Sequence, residues 1–329
     1  MKRSFSSRYR PVFILVAIIA VVTTLIFSSP FWLDNSILVA IFALLALSVG
    51  MAYGQAGILS IAPAAFGSIG AFATSIVTTR YELSPLIGLV LAITLPMLLA
   101  YPMARAITRL SPMPLSIATL LLSLVLELGI REGGSVTGGY IGLSGIPSLW
   151  FADSLFSMHV LGWVLVAAVL VLYVNITDSA IGRAVKTAQH DPLRATADGV
   201  NVPALLASYF ALSASVAGLA GWLYAHHLTY MGPDSLTMHV SIKIVLMAVI
   251  GGASTFLGPV LGAAFLTLIT LYLPAAETQG MIFGAVLIFV LLVAPNGVLG
   301  TNWRKLLSGG KRRMPVTGAA EAASRGGVA

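Results

Sequence analysis

Charged side chains are scarce in the long apolar stretches of this chain, so the few that occur there are the first candidates for chemistry. Glu127 lies near one end of such a stretch, and Lys243 lies at the start of another. A charge at membrane depth is costly and marks a functional site by default. Glu127 also has a structural explanation, because Arg131 follows one helical turn later and can pair with it. A proton relay would need acidic or histidine residues in mid-stretch, and the sequence has none there.

The histidines do not match a metal site or a catalytic site. His226 and His227 are adjacent and His239 comes twelve residues later, which is not a ligand spacing of zinc sites. No Ser/His/Asp set and no paired carboxylates stand where they could act together. The sequence also lacks a phosphate-binding loop of the G-x-x-x-x-G-K-[ST] type. We therefore expect no catalytic residue, no metal and no cofactor, and ATP hydrolysis would need another chain.

Two apolar stretches are interrupted by glycine and proline, unlike ordinary spanning helices. Residues 54–75 read GQAGILSIAPAAFGSIGAFATS, and residues 251–265 read GGASTFLGPVLGAAF. Backbone without regular hydrogen bonds is tolerated at membrane depth only where protein or a water-filled cavity covers it. Paired interruptions in the two halves of a chain are typical of a translocation route. Tight helix packing through small residues is the alternative explanation, and the two are compatible.

Both interrupted segments contribute residues that are expected to line such a route. These are Gly54, Gln55, Ser60, Phe66, Gly67, Gly251, Gly252 and Gly258. The packing alternative assigns glycine pairs to helix contacts instead, namely Gly67 with Gly70, Gly218 with Gly221, and Gly258 with Gly262.

Residues 178–207 form the one substantial internal segment whose sequence fits two short helices in water. Ser179 is a suitable N-cap for a helix to about Gln189, and Asp191 with Pro192 begins a second helix that Gly199 ends. Apolar residues recur at helical spacing in both helices. Those residues are Ile181, Val185 and Ala188 in the first helix, and Leu193 and Ala197 in the second. Composition alone leaves open whether the segment is a solvated connector or a contact surface for a partner.

The composition places the chain in a bilayer. Of its 329 residues, 58% are hydrophobic and 9% are charged, with a mean hydropathy of +0.97. Soluble domains carry roughly 25% charged residues. The fold class predicted is therefore an all-α polytopic membrane protein with about 8 to 10 transmembrane helices, some of them broken or re-entrant. The absence of cysteine excludes disulfides and thiolate chemistry.

Basic residues fix the expected orientation. The ten candidate spans are residues 11–29, 35–53, 62–79, 84–104, 113–130, 158–176, 204–227, 242–256, 258–273 and 280–300, of which 242–273 could instead be one long helix. With the N-terminus in the cytoplasm, 15 of the 18 Lys and Arg residues fall on the cytoplasmic side. This asymmetry predicts that both termini are cytoplasmic.

The chain is expected to have one membrane domain with short cytoplasmic extensions. Residues 1–10 form the N-terminal segment, 11–303 the transmembrane domain with a cytoplasmic loop at 177–203, and 304–329 a tail expected to be disordered. The first span follows a basic stretch as in a signal peptide. Its length and the lack of a small-x-small cleavage site favour a retained helix.

Six glycine-rich strings, in this order, resemble the permease subunits of branched-chain amino-acid ABC importers, in particular the M-type half of the heterodimer. They are GQAGILSIAPAAFGSIGA at 54–71, VTGGYIGLSGIP at 136–147, IGRAVKTAQHDPLRATADGVNV at 181–202, SASVAGLAGWLYAHH at 213–227, IGGASTFLGPVLGA at 250–263 and APNGVLG at 294–300. Each string is weak alone, but their order over residues 35–300 is specific.

The resemblance implies the ABC importer permease fold and a set of partners. These are a homologous H-type permease, two cytoplasmic ABC ATPase subunits, and a periplasmic solute-binding protein, around a chain in the bacterial inner membrane. The residues that match the ATPase-coupling motif of the family are Gly182, Arg183, Ala184, Asp191, Gly199 and Asn201. The external loop that would face the binding protein contains Thr137, Gly138, Gly139 and Trp150.

Departures from the family pattern leave the substrate open. Ala62 and Pro63 replace the usual Gly-His or Gly-Gln, and the acidic stretch of the coupling motif is replaced by Gln189, His190 and Asp191. Related permeases carry urea, amides or aromatic acids as well as branched-chain amino acids. The sequence also does not separate a heterodimer from a homodimer. Two other functions remain: a secondary carrier driven by an ion gradient, and a structural scaffold, which the broken helices argue against.

Overall fold

The computed structural model describes residues 8–107, 112–272, 276–294 and 297–301, and nearly all of this part of the chain is helical. The helices are α1 Arg10–Ile26, α2 Pro30–Val49, α3 Pro63–Arg80, α4 Pro85–Ile107, α5 Pro112–Glu132, α6 Gly134–Thr137, α7 Leu155–Asp178, α8 Ala180–His190, α9 Pro192–Ala197, α10 Val202–Leu228, α11 Met238–Gly251, α12 Gly258–Tyr272 and α13 Ala276–Val293. A π-helical turn, Gly50–Gln55, continues α2.

Each of the ten predicted spans overlaps one long helix of this bundle. Five stretches among the described residues are long and apolar enough to cross a bilayer: Pro30–Gln55, Pro85–Ala106, Pro114–Glu132, Leu155–Asp178 and Val202–Leu228. The stretch 242–273, for which one helix or two were possible, forms two helices. The chain is an all-α polytopic membrane protein, as its composition predicts.

Helix α10 lies at the centre of the bundle and packs directly on α3 and α4 through small residues. A Cβ added at Gly218 would overlap the carbonyl group of Ala92 in α4, and one at Gly221 would overlap the carbonyl of Gly67 in α3. Lipid is as apolar as a side chain, so membrane helices associate by such close packing. The backbone contacts therefore explain why glycine recurs in these helices.

Helix α2 supplies the largest share of the buried aliphatic core. Ile37, Ile41 and Leu44 are fully buried between the helices around it. On one side α2 contacts α12, which forms an antiparallel hairpin with α11. A Cβ at Gly262 of α12 would overlap the carbonyl of Met247 in α11, so the hairpin is also closed by glycine.

The two ends of the bundle differ in structure. At one end, called here the α8 end, lie α8 and α9 between the membrane helices α7 and α10. At the other, called the ribbon end, the loop after α5 pairs with the loop after α10 in a short antiparallel ribbon, with Leu143 opposite Met231. The tail predicted at 304–329 and most of the segment 1–10 lie outside the described residues.

Candidate functional site

The first interruption, residues 50–62, combines the π turn with an extended stretch that runs into the bundle. In the π turn, backbone hydrogen bonds span five residues instead of the four of the preceding α-helix. Just after the turn, the amide of Ile58 donates to the carbonyl oxygen of Ala52 at 3.0 Å. From there to Ala62 the chain is not helical, and Pro63 begins α3. The amide of Ala64, in the first turn of α3, binds the hydroxyl of Ser241 in α11 at 3.1 Å. A helix end inside the protein is thereby capped by a neighbouring helix.

Three hydroxyl groups of α5 provide the hydrogen bonds that the extended stretch lacks. Ser116 donates to the carbonyl of Leu59 at 3.1 Å, and Ser123 donates to the carbonyl of Ile61 at 3.1 Å. Thr119 accepts from the amide of Ile61 at 3.0 Å. The three lie on one face of α5, since they are three and four residues apart. Non-helical backbone in the membrane is thus covered by protein, as it must be.

The second interruption, residues 252–257, is a turn between α11 and α12. Gly252 has φ +109°, a conformation that a residue with a side chain rarely adopts. Thr255 closes the turn by donating to the carbonyl of Gly252 at 2.9 Å and accepting from the amide of Gly258 at 3.1 Å. The glycines and the threonine of this segment therefore build a sharp turn into the interior.

The two interruptions contact each other. A Cβ at Gly54 would overlap the carbonyl group of Ala253, and one at Gly50 would lie 2.7 Å from Cγ of Pro259. The π turn of the first interruption therefore rests on the turn of the second. Segments that are far apart in sequence form one continuous irregular region inside the bundle.

A small cavity lies beside this region, between α2, α3 and α10. Its lining includes no charged side chain: it is Ser48, Val49, Ala52, Ile58, Ser60, Pro63, Phe66, Phe210, Ser213, Ala214 and Ala217. It has room for roughly one water molecule. Phe66 and Phe210 lie on its lining in an edge-to-face contact, with ring centroids 5.6 Å apart. The cavity is therefore too small to hold a larger solute in this conformation.

The eight residues predicted to line a route have different positions in the structure. Ser60 and Phe66 line the cavity. Gln55 is buried but is not among the residues that line it. Gly54, Gly67, Gly251 and Gly258 make close backbone contacts, and Gly252 forms the turn. Close packing of the backbone therefore accounts for the glycines at these positions. That they also line a route for the solute stays a prediction. Ser48, Phe210 and Ser213 were not predicted, because their place at the cavity depends on which faces of α2 and α10 meet.

The two-helix segment, residues 179–201, has the caps that its sequence predicts. The hydroxyl of Ser179 accepts from the amide of Gly182 at 3.2 Å, and the carboxylate of Asp191 accepts from the amide of Arg194 at 3.0 Å. Asn201 caps α10 in the same way. Each turn of the chain in this segment is therefore encoded locally.

Glycine shapes two corners of the two-helix segment. A Cβ at Gly182 would overlap the carbonyl groups of Ile176 and Thr177, so only glycine lets α8 turn so tightly off α7. Gly199 has φ +81° where α9 ends, in the left-handed region that glycine tolerates. Gly182 is buried, whereas Arg183, Asp191, Gly199 and Asn201 are exposed and Ala184 is half-buried.

The apolar residues of the two-helix segment do not all face inward, although their spacing predicts one apolar side for each helix. Val185 and Ala188 are buried, but Ile181 is 58% exposed and Leu193 is 84% exposed. The same segment carries exposed basic side chains, Arg183, Lys186 and Arg194, and exposed carboxylates, Asp191 and Asp198. Exposed large apolar groups on a segment of mixed charge are the kind of feature that a partner could cover.

The two-helix segment contacts the first interruption, and the end of α7 that leads into it contacts the residues just before α1. Cγ of Gln189 would lie 3.0 Å from a Cβ added at Gly57, so its side chain lies directly on the backbone there. Arg8 forms an ion pair of 3.1 Å with Asp178 and a hydrogen bond of 2.9 Å with Asn175. The two-helix segment is thus joined directly to the irregular region, while the end of α7 is joined to the start of α1.

The ribbon end carries an exposed aromatic and aliphatic surface. Thr137, Gly138 and Gly139 shape the loop: the Thr137 hydroxyl donates to the carbonyl of Ile130 at 2.6 Å, and the two glycines have positive φ. Trp150 is 74% exposed, and Ile141 is 84% exposed beside Tyr140. The last two were not predicted, since a side chain's exposure in an irregular loop leaves no periodic pattern.

The charged groups near the membrane ends have structural partners. Arg131 pairs with Glu127 at 2.9 Å, as predicted, and with Asp234 at 2.7 Å. The other carboxylate oxygen of Glu127 accepts from the amide of Met238. Lys243 lies over the rings of Phe42 and Phe283. Within the part of the chain that the structure describes, no three His, Cys, Asp or Glu residues lie close enough to hold a metal.

Comparison with known proteins identifies the family. The family described as "Branched-chain amino acid transport system / permease component" matches residues 32–291. The chain is 24% identical over 299 residues to the LivM permease protein of Salmonella typhimurium, covering 81% of this chain and 69% of the relative. It is 26% identical over 283 residues to LivH of the same organism, covering 79% and 91%.

A third relative is the protein of Methanocaldococcus jannaschii described as a probable branched-chain amino acid transport permease protein LivH, 26% identical over 80% of this chain and 90% of its own length. No solved structure matches. The family match covers most of the chain, and the bundle of apolar helices agrees with it. This chain therefore belongs to the permease components of branched-chain amino acid transport systems, and it is a transport subunit, not an enzyme.

Proposed function

We propose that this chain is one membrane subunit of an importer driven by ATP hydrolysis in separate subunits, which dock on the two-helix segment. The observation that carries the proposal is the contact of Gln189 with Gly57. It connects the proposed docking surface to the first interruption, and through Gly54 and Ala253 to the second. A movement of α8 would therefore act directly on backbone beside the cavity.

The proposed docking surface uses the exposed side chains of Ile181 and Leu193 and the exposed basic residues of the same segment, Arg183, Lys186 and Arg194. An amphipathic helix that lays its apolar side chains in a groove of a partner is a common mode of recognition. The ATPase surface is expected to offer an apolar groove with acidic residues at its rim. Gly182 shapes the corner, whereas Arg183, Asp191, Gly199 and Asn201 lie on the exposed side.

The orientation follows from the same assignment. The α8 end faces the cytoplasm, and both termini are on that side, in agreement with the placement of the basic residues. The ribbon end faces outward across a bacterial inner membrane and receives a solute-binding protein on the surface of Tyr140, Ile141 and Trp150. A second permease, of the H type by analogy with the paired LivM and LivH systems, completes the route.

The solute is expected to be small and without net charge. The cavity lining carries three serine hydroxyls and otherwise apolar side chains, and its lack of a charged side chain argues against a solute with a net charge. The LivM and LivH relatives are described as branched-chain amino acid permeases, which supports leucine, isoleucine and valine as first candidates. A panel of amino acids, amides and aromatic acids, screened for thermal stabilisation of the cognate binding protein, would identify the solute.

The experiment that tests the proposed function is purification of the chain from its native membrane, identification of the subunits that accompany it, and uptake by the reconstituted complex. We expect a nucleotide-binding subunit to co-purify, and uptake to continue when an ionophore collapses ion gradients while ATP remains. Uptake that stops with the gradient would instead identify a secondary carrier. Arg183→Glu combined with Gly199→Asp should abolish uptake, and uptake that survives this pair of changes would contradict the coupling role.

A further inference from the structure

Tyr173, near the end of α7, is one of the largest fully buried side chains in the described part of the chain. Its hydroxyl donates to the carbonyl oxygen of Gly50, the first residue of the π turn, at 3.1 Å. The side chain of Gln55, the last residue of that turn, lies beside the same hydroxyl. One side chain of α7 therefore contacts both ends of the π turn in the first interruption.

The ring of Tyr173 contacts the second interruption as well. It packs edge-to-face on Phe256, with ring centroids 5.1 Å apart and an angle of 75° between the ring planes. Phe256 belongs to the turn at residues 252–257, between α11 and α12. Aromatic pairs of this kind add a preferred geometry to the packing of a core. Tyr173 thus contacts the first interruption through its hydroxyl and the second through its ring.

The position of Tyr173 on α7 also connects it to the two-helix segment. The hydroxyl of Thr177, one helical turn later, donates to the carbonyl oxygen of Tyr173 at 2.8 Å. The carbonyl of Thr177 in turn lies where a Cβ on Gly182 of α8 would be. A movement of α8 must therefore pass through the last turn of α7, and Tyr173 stands at the start of that turn.

The hydroxyl of Tyr173 is the part of the side chain that packing does not require. A phenylalanine would fill nearly the same space and keep the contact with Phe256, but it could not donate to Gly50. Ser48 and Val49, which line the cavity, directly precede Gly50 in the chain. The hydrogen bond thus fixes backbone that is continuous with the cavity lining, at a π turn, a feature often found at functional sites.

We infer, on the basis of the proposed function, that Tyr173 is a positioning residue for transport. It holds both interruptions to the end of α7, so that the cavity between α2, α3 and α10 opens only when the ATPase moves α8. The contact of Gln189 with Gly57 reaches the first interruption from α8 directly. Tyr173 adds a second connection, through α7, and this one includes the second interruption.

The first test compares Tyr173→Phe with the wild-type chain in proteoliposomes that contain the complete complex. We expect the ATP hydrolysed per solute imported to rise roughly 2- to 10-fold, the factor by which one ordinary hydrogen bond changes an equilibrium. Recovery of the ATPase subunit should not change. Tyr224→Phe is the matched control, because that hydroxyl lies beside Ser235 at the ribbon end. It should leave the ratio of ATP to solute at the wild-type value.

The second test needs neither ATP nor a partner. The chain has no cysteine, so Ser213→Cys places a unique thiol in the cavity lining. The rate at which a small methanethiosulfonate modifies this thiol measures how often the cavity opens. We expect Tyr173→Phe to raise the rate by a similar factor of roughly 2 to 10. Tyr224→Phe should leave the rate unchanged.

Two results would overturn the role of Tyr173. One is a Tyr173→Phe protein in which both the ATP ratio and the thiol reaction rate equal those of the wild type. The other is an equal change in Tyr224→Phe, which would mean general loosening of the bundle. A wild-type complex that imports no solute with ATP would overturn the proposed function instead, and the thiol reaction rates would still decide whether Tyr173 holds the cavity shut.

Discussion

Gly54 and Ala253 lie in backbone contact, so closely that a single Cβ on Gly54 would overlap the Ala253 carbonyl group. This contact joins the two interruptions of the membrane helices, which are in different halves of the sequence. Because Gln189 lies on Gly57 three residues further on, the two-helix segment and both interruptions form one contiguous path of contacts. Energetic coupling along this path would make substitutions at its contacts change uptake as well as stability.

Gly54→Ala is expected to destabilise the protein and to impair uptake, because the added methyl group must displace the turn at Ala253. Overpacking of this kind costs about 1 to 3 kcal/mol. Gly284→Ala is the matched control, since a Cβ at Gly284 of α13 meets nothing within 4 Å. Thermal unfolding of the two purified variants measures the difference. Equal stability and equal uptake would mean that the two turns are not in contact.

Thr119→Val should destabilise the protein, because it leaves the partly buried amide of Ile61 without an acceptor while it keeps the side chain's shape. Loss of one partner of a buried hydrogen bond costs about 1 to 3 kcal/mol. Thr119→Ser should restore most of the loss. In the control, Thr94→Val, only a bond of the hydroxyl to its own helix is removed. Hydrogen exchange at Ile61 gives the direct measurement, and unchanged protection in Thr119→Val would contradict the assignment.

The helices of this protein could be predicted from its sequence. The hydrogen-bond partners of the non-helical backbone inside the bundle could not. Length and apolarity mark the ten spans, and local caps such as Ser179 and Asp191 fix α8 and α9. The extended stretch 58–62 depends instead on hydroxyl groups of α5 about 60 residues away. A serine and threonine face on an apolar helix was the available indication, but its partner could not be named from the sequence.

The docking surface shows a second limit of sequence reasoning. The spacing of Ile181, Val185 and Ala188 predicts an apolar side for α8, but it does not specify which members of that side meet the bundle. Gly182 determines the angle at which α8 leaves α7, and that angle leaves Ile181 exposed. Whether an apolar residue next to such a glycine is exposed depends on tertiary packing, and the helical spacing of apolar residues carries no information on it.

A double variant that exchanges the charges of Arg8 and Asp178 should reveal a measurable interaction between these two side chains. Arg8→Glu and Asp178→Arg are each expected to lower stability, and the double variant should recover part of the loss. Because both side chains are about one-third exposed, the coupling free energy should be modest, about 0.2 to 1 kcal/mol. A double-mutant cycle of thermal unfolding at low and at high salt gives the value. A coupling that does not weaken with salt would contradict an ion pair between them.

Gly182→Ala should alter the corner between α7 and α8, because its methyl group would overlap the carbonyl groups of Ile176 and Thr177. Ala184→Val, at a half-buried position two residues later, is the control. We expect Gly182→Ala to reduce co-purification of the ATPase subunit much more than Ala184→Val does. Pull-down of the tagged chain with quantification of the ATPase gives the measurement, and equal recovery would show that the corner angle does not matter.

The most direct measurement of the central proposal is site-specific cross-linking from the two ends of the bundle. The chain has no cysteine, so Leu193→Cys and Trp150→Cys each introduce a unique thiol without other changes. With a photoreactive maleimide in the transporting complex, Leu193→Cys is predicted to form adducts with the ATPase subunit, and Trp150→Cys with the solute-binding protein. An ATPase adduct at Trp150→Cys, or none at Leu193→Cys in a complex that still imports solute, would contradict docking on the two-helix segment.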